Sequence, residues 1–64
     1  MCLASVYLKK NGESEFLAEN VSAIKISGEK LTLVTLFRET TELEARIKEI
    51  DFTHSSVTLE PVSA

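Results

Sequence analysis

Thr40-Thr41-Glu42-Leu43-Glu44-Ala45-Arg46-Ile47-Lys48-Glu49-Ile50 carries two periods at once, and the period the chain obeys decides the fold class. Read as a helix, Glu44 and Lys48 stand four residues apart as an ion pair, Leu43, Ile47 and Ile50 make an apolar stripe, and Thr41 caps the start. Read as strand, Thr41, Leu43 and Ala45 alternate with Glu42, Glu44 and Arg46, and Ile50 with Phe52 continues the two-residue period. Local periodicity leaves both readings open.

The flanking sequence is less divided. Leu31-Thr32-Leu33-Val34-Thr35-Leu36-Phe37 is the strongest strand signal in the chain, with β-branched residues interleaved and no breaker. Leu31, Leu33, Thr35 and Phe37 share one face and Thr32, Val34 and Leu36 the other, which predicts a central strand covered on both sides. Upstream, Ser27-Gly28-Glu29-Lys30 is a polar connection containing glycine, so a hairpin joins this strand to Val21–Ile26. There Ser22, Ile24 and Ile26 alternate with Val21, Ala23 and Lys25, and Ala18-Glu19-Asn20 interrupts the pattern before it. A strand from Ser14 to Leu17 pairs back through Asn11-Gly12, the dipeptide that best supplies the two positive φ values of a type I′ turn. It meets a first strand, Cys2 to Leu8, that is partly apolar on both faces. Downstream, Thr53-His54-Ser55 makes a tight connection to Ser56–Glu60, in which Val57 and Leu59 face one way. Pro61 ends that strand because proline cannot donate to a ladder, and residues 62–64 are expected to fray.

Residues 1–64 form a single domain near the lower size limit for an unaided core. One cysteine permits no internal disulfide. Association is the remaining source of stability, and doubly apolar first and central strands predict a homodimer closed by a two-fold axis. Net charge is −3, and the seven basic residues are scattered, so the electrostatic footprint of a nucleic-acid binder is missing. The first residues lack the pattern of a signal peptide, and no apolar run approaches the ~20 residues needed to span a bilayer. A cytoplasmic location is expected, where a reducing environment keeps a cysteine free.

The candidate chemistry lies at Met1-Cys2. A thiolate is a soft ligand, and the Met1 amine and Cys2 amide stand beside it, each link closing a small chelate ring. Such compact nitrogen and sulfur donors suit square-planar Ni(II) or Cu(II) better than tetrahedral Zn(II). One chain supplies at most three of these donors, so a closed four-ligand site needs more, most simply a second copy of the same N-terminus. Against this, a free cysteine is more often a small buried hydrophobe. His54, the only histidine, reads as a solvated turn residue, and Glu49 and Asp51 as surface carboxylates, hard ligands that suit other metals. No phosphate loop, HExxH pair, CxxC pair or nucleophile elbow occurs, so an enzyme is not expected.

Met1-Cys2-Leu3-Ala4, the Asn11-Gly12 turn, the run Leu33–Phe37, and Ile50-Asp51-Phe52 followed by Val57-Thr58-Leu59 together resemble the CooT-type small nickel-binding proteins. The resemblance covers nearly the whole chain and rests on length, on the place of Cys2 and on the order of the segments. It implies a small homodimeric β protein associated with nickel insertion into carbon monoxide dehydrogenase, with the cysteine after the initiating methionine as ligand; Cys2 matches that position. It also favours strands over helix for residues 40–50. The expectation is therefore an all-β protein, a small antiparallel barrel or sandwich of six or seven short strands, homodimeric. It would bind Ni(II) through Cys2 and Met1 at the two-fold and serve a nickel enzyme or its maturation proteins. The rival reading is a small β-barrel that binds RNA or protein, with Tyr7, Phe16, Phe37 and Phe52 otherwise explained as core.

Overall fold

The structure, a computed structural model, describes residues Leu3–Val62. It is all-β, with no helix among the described residues. Five strands follow one another: β1 (Ala4–Lys10), β2 (Glu13–Ser27), β3 (Lys30–Thr35), β4 (Thr40–Asp51) and β5 (Ser56–Pro61). Each pairs antiparallel with the next, and β5 returns to β1 to close a barrel. An up-and-down meander reverses direction at every turn, so an odd number of strands leaves the first and last pointing the same way. Closure is accordingly a parallel β1–β5 pair, from Ser5 opposite Ser56 to Leu8 opposite Leu59. Closing the sheet removes the unpaired edges that would otherwise invite aggregation.

The count is five strands and not six or seven, because the expected break at Ala18-Glu19-Asn20 is a bulge inside one long strand. Ala18-Glu19-Asn20 does not end a strand: Ala4 pairs with Val21 and Val6 with Ala18, so a short step on β1 spans a longer one on β2. Asn20 absorbs the surplus at φ 58, a left-handed conformation that asparagine tolerates better than most residues. A further bulge lies at Ser22, where Val21 faces Thr35 and Ala23 faces Val34; the Ser22 hydroxyl bonds the Val34 carbonyl at 3.2 Å. These kinks let one strand pair with β1 along its first half and with β3 along its second.

The bulges also change which residues face inward. Val21 was expected opposite Ile24 and Ile26, but the extra residue at Ser22 puts Val21 and Ile24 on the same, inner side. The same device explains the ambiguity of residues 40–50. They are strand, and Leu43, Ala45 and Ile47 point inward at the strand period. Ile47 pairs with Leu59 and Glu49 with Thr58, so Lys48 is the surplus residue and Ile50 returns to the inner side opposite Val57. Two inward residues three apart across a bulge imitate a helical stripe.

The core is small: Val6, Val21, Leu31, Leu33, Ala45, Val57 and Leu59 are buried, and Ala4, Leu8, Leu17, Ala18, Ile24, Leu43 and Ile47 pack around them. Leu31 with Leu33, and Val57 with Leu59, share the inner face as expected. The Asn11-Gly12 turn has the two positive φ values anticipated, 53 and 82. The central strand stops two residues early, at Thr35. The Thr35 hydroxyl accepts from the Phe37 and Glu39 amides, and the Thr35 carbonyl accepts from the Arg38 amide. Side-chain competition with the ladder ends the strand and turns Leu36 and Phe37 out. Phe16, Phe37 and Phe52 are not core in this chain: they are 53%, 71% and 85% exposed. Tyr7 is half-buried, edge-on to Phe16 with ring centroids 5.7 Å apart. Val62 is tied down, its carbonyl accepting from the Arg46 guanidinium at 3.3 Å.

Candidate functional site

Met1 and Cys2, the expected metal ligands, lie outside the described residues. Leu3 edges an open apolar cleft of about 330 Å³. The cleft is continuous with the core: Ala4, Val21, Ile24, Ile47 and Val57 line it, together with the exposed Ile50. It opens between the start of β1, the bend of β2 and the β4–β5 connection.

Asp51 lines the cleft, and His54 pairs with it from the following turn. The Asp51 carboxylate folds over its own turn, accepting from the Thr53 amide at 2.9 Å and the His54 amide at 3.2 Å. Its second oxygen meets His54 Nδ1 at 2.8 Å. This hydrogen bond is the chief reason that the imidazole titrates above its ordinary value, with the Coulombic attraction of the carboxylate adding to it. Asp51 in turn is held below its ordinary value, first by the hydrogen bond from His54. With Asp51 ionised its oxygens can only accept, so Nδ1 is the donor in this contact. The pairing was absent from the sequence reading, although an aspartate heading a short turn is the signal that finds it. The turn also anchors β1: the Ser5 amide donates to the Ser55 carbonyl at 2.9 Å. Parallel pairing of Ser5 with Ser56 carries the N-terminal segment past this turn.

Among the described residues, no three His, Cys, Asp or Glu side chains gather closely enough to hold a metal. Asp51 and His54 are one short, and His54 is 76% exposed at its side chain. At this end of the barrel the described side chains do not complete a metal site.

Comparison with known proteins bears on that end directly. The family model described as CO dehydrogenase accessory protein CooT matches residues 1–60. The chain belongs to the CooT family. Among solved structures, a crystal structure described as CooT from Carboxydothermus hydrogenoformans superposes with a TM-score of 0.87 at 25% sequence identity, covering 94% of this chain and 97% of that one. No curated protein matches the chain. CooT membership agrees with the resemblance read from the first four residues and the order of the strands. It is an accessory family by its description. No helix of the described residues is long and apolar enough to cross a membrane.

Proposed function

We propose that this CooT chain binds Ni(II) as cargo and stores or hands it on during maturation of a nickel enzyme such as CO dehydrogenase. The observation that carries the reading is the family match, which runs over residues 1–60 and so includes Met1 and Cys2. Donor chemistry supports it: one thiolate with an adjacent amine and amide forms compact chelate rings suited to square-planar Ni(II). The description of the family as accessory to CO dehydrogenase supports the destination.

One chain offers too few donors to close a site, and a second N-terminus supplies the rest. The working unit is therefore a homodimer in the cytoplasm, where the thiol stays reduced. Two chains related by a two-fold axis contribute identical ligands, as an isologous contact requires. Cargo metal must leave as well as bind, and a site built from two chain ends can open by a small displacement of either.

Titration of the wild-type chain with Ni(II) is expected to raise a thiolate-to-metal absorption band. Cys2→Ser should abolish the band and the binding while the apo protein keeps its melting temperature within a few degrees. Nickel affinity retained by the serine variant would refute the reading. Salt-sensitive retention of the metal-free chain on RNA would favour a nucleic-acid role instead.

A further inference from the structure

Lys9, Lys10 and Lys48, scattered along the chain, meet in the fold. With Asn11, Gly12 and Glu60 they line an open depression of about 340 Å³. The β1–β2 hairpin brings Lys9 and Lys10 to it, and the β4 bulge, in which Lys48 is the surplus residue, brings the third. The depression lies at the other end of β1 from the apolar cleft, ~17 Å of extended strand away from Ala4.

We infer that this depression is an anion site that takes the phosphate groups of a small molecule, held by the ammonium groups of Lys9, Lys10 and Lys48 and by the backbone amides of Asn11 and Gly12. The site is separate from the proposed metal chemistry and does not rest on it.

Charge supports the assignment. The chain carries a net charge of −3, yet three of its seven basic residues converge here against one lining carboxylate. That carboxylate, Glu60, stands directly across the β4–β5 ladder from Arg46, which offsets it. Glu13 faces Lys10 across the hairpin but does not line the depression. Among the described residues the one ion pair is Asp51 with His54, so no carboxylate there lies within ion-pair distance of the three lysines. The turn supplies donors of a second kind. Its ladder closes at Lys10 with Glu13, which leaves the Asn11 and Gly12 amides outside it, and no described backbone carbonyl accepts from either. Their positive φ values, 53 and 82, set two successive N–H groups in a turn, an arrangement that favours anions. Lysine is a point-charge binder of phosphate, and the depression has the volume of a small-ligand site. One pleat along the outer face of β1 from Lys9 stands Tyr7, edge-on to Phe16, where a ring attached to the phosphate can rest.

The test is a titration of the metal-free, nitrogen-15-labelled chain with sodium pyrophosphate, followed by amide chemical shifts, with sodium chloride at matched ionic strength as control. Saturable shifts are expected at Asn11 and Gly12, and added salt should weaken the binding. Lys9→Gln combined with Lys48→Gln should weaken it on the order of tenfold. Lys25→Gln combined with Lys30→Gln makes the same change in net charge away from the depression, and should bind as wild type does. All four lysines are exposed, so neither variant removes a core contact. Adenosine diphosphate separates two sources of the phosphate. Affinity equal to that of pyrophosphate marks the phosphate groups alone as the ligand, and tighter binding with added shifts at Tyr7 and Phe16 marks a nucleoside phosphate. Shifts no larger than those with chloride, or a Lys9 and Lys48 variant that binds as wild type does, would overturn the inference. So would equal losses in the two double variants, which would mean attraction to net charge without a site. A poly-glutamate peptide that binds more tightly than pyrophosphate would also overturn it, by assigning the depression to an acidic protein surface.

Discussion

Asp51 and His54 show how much a single turn can hold at the surface. The pair is exposed, so its energetic weight is small and screened, but its effect on titration has a definite sign. The imidazole pKa is raised in the folded chain, so the stabilisation from pairing is fully present below the ordinary imidazole value and is lost as pH rises through the raised one. The Asp51 pKa is lowered, so its share is present above the ordinary carboxylate value and is lost as pH falls through the lowered one. The pairing is therefore strongest between the ordinary carboxylate and imidazole ranges. Following the His54 ring protons by NMR, we expect Asp51→Asn to bring the imidazole pKa down towards its ordinary value. An unchanged titration would mean that the 2.8 Å contact does not persist in solution. His54→Ala should leave nickel binding intact, because the ligands proposed lie at the N-terminus.

At the scale of the element, the bulges matter most. A strand without them alternates strictly, and β2 could not serve both β1 and β3 without turning its apolar residues outward. Asn20 holds the bend with φ 58. Asn20→Val should cost about 1–2 kcal/mol, since a β-branched side chain is strained in that conformation, while Asn20→Gly should cost much less. Urea unfolding midpoints at constant slope measure the difference; equal costs for valine and glycine would show that the bulge relaxes when substituted. The same bulges confused the reading of residues 40–50. Ile47 and Ile50 are three apart and share a face, and in sequence that spacing is indistinguishable from a helical turn. Only the partner strand, where Leu59 and Thr58 are adjacent, reveals the surplus residue.

For the whole molecule, closure of the barrel decides stability. Among the described residues seven apolar side chains are buried, a small core, so each carries much of the fold. Leu59, fully buried, lies on the strand that closes the barrel, and Leu59→Ala should cost about 2–5 kcal/mol, enough to unfold a marginal domain. A thermal scan checks it, and a shift of only a degree or two would indicate that the dimer, and not the barrel interior, supplies most of the stability. Metal uptake is a whole-molecule property as well. A free thiol titrates near about 8.5 and a terminal amine near about 8, so nickel must displace protons and binding should weaken steeply as the solution becomes acidic. Calorimetry in buffers of different ionisation heat should give about one nickel per two chains, with a buffer-dependent heat. One metal per chain, independent of pH across neutrality, would disprove the shared site.

The sequence alone determined the all-β class once resemblance was added, the Asn11-Gly12 hairpin, the inward faces of Leu31 with Leu33 and of Val57 with Leu59, and the family to which the chain belongs. These depend on local conformational preference and on a two-residue period, both of which act over neighbouring residues. The tertiary structure decided the rest. That β5 returns parallel to β1, that Val21 turns to the side of Ile24, that three phenylalanines stand outside the core, and that Asp51 captures His54 all depend on residues far apart in the chain or on one surplus residue in a ladder. Each surplus residue inverts every face beyond it, and its position is set by the partner strand, which the sequence of the bulged strand does not contain.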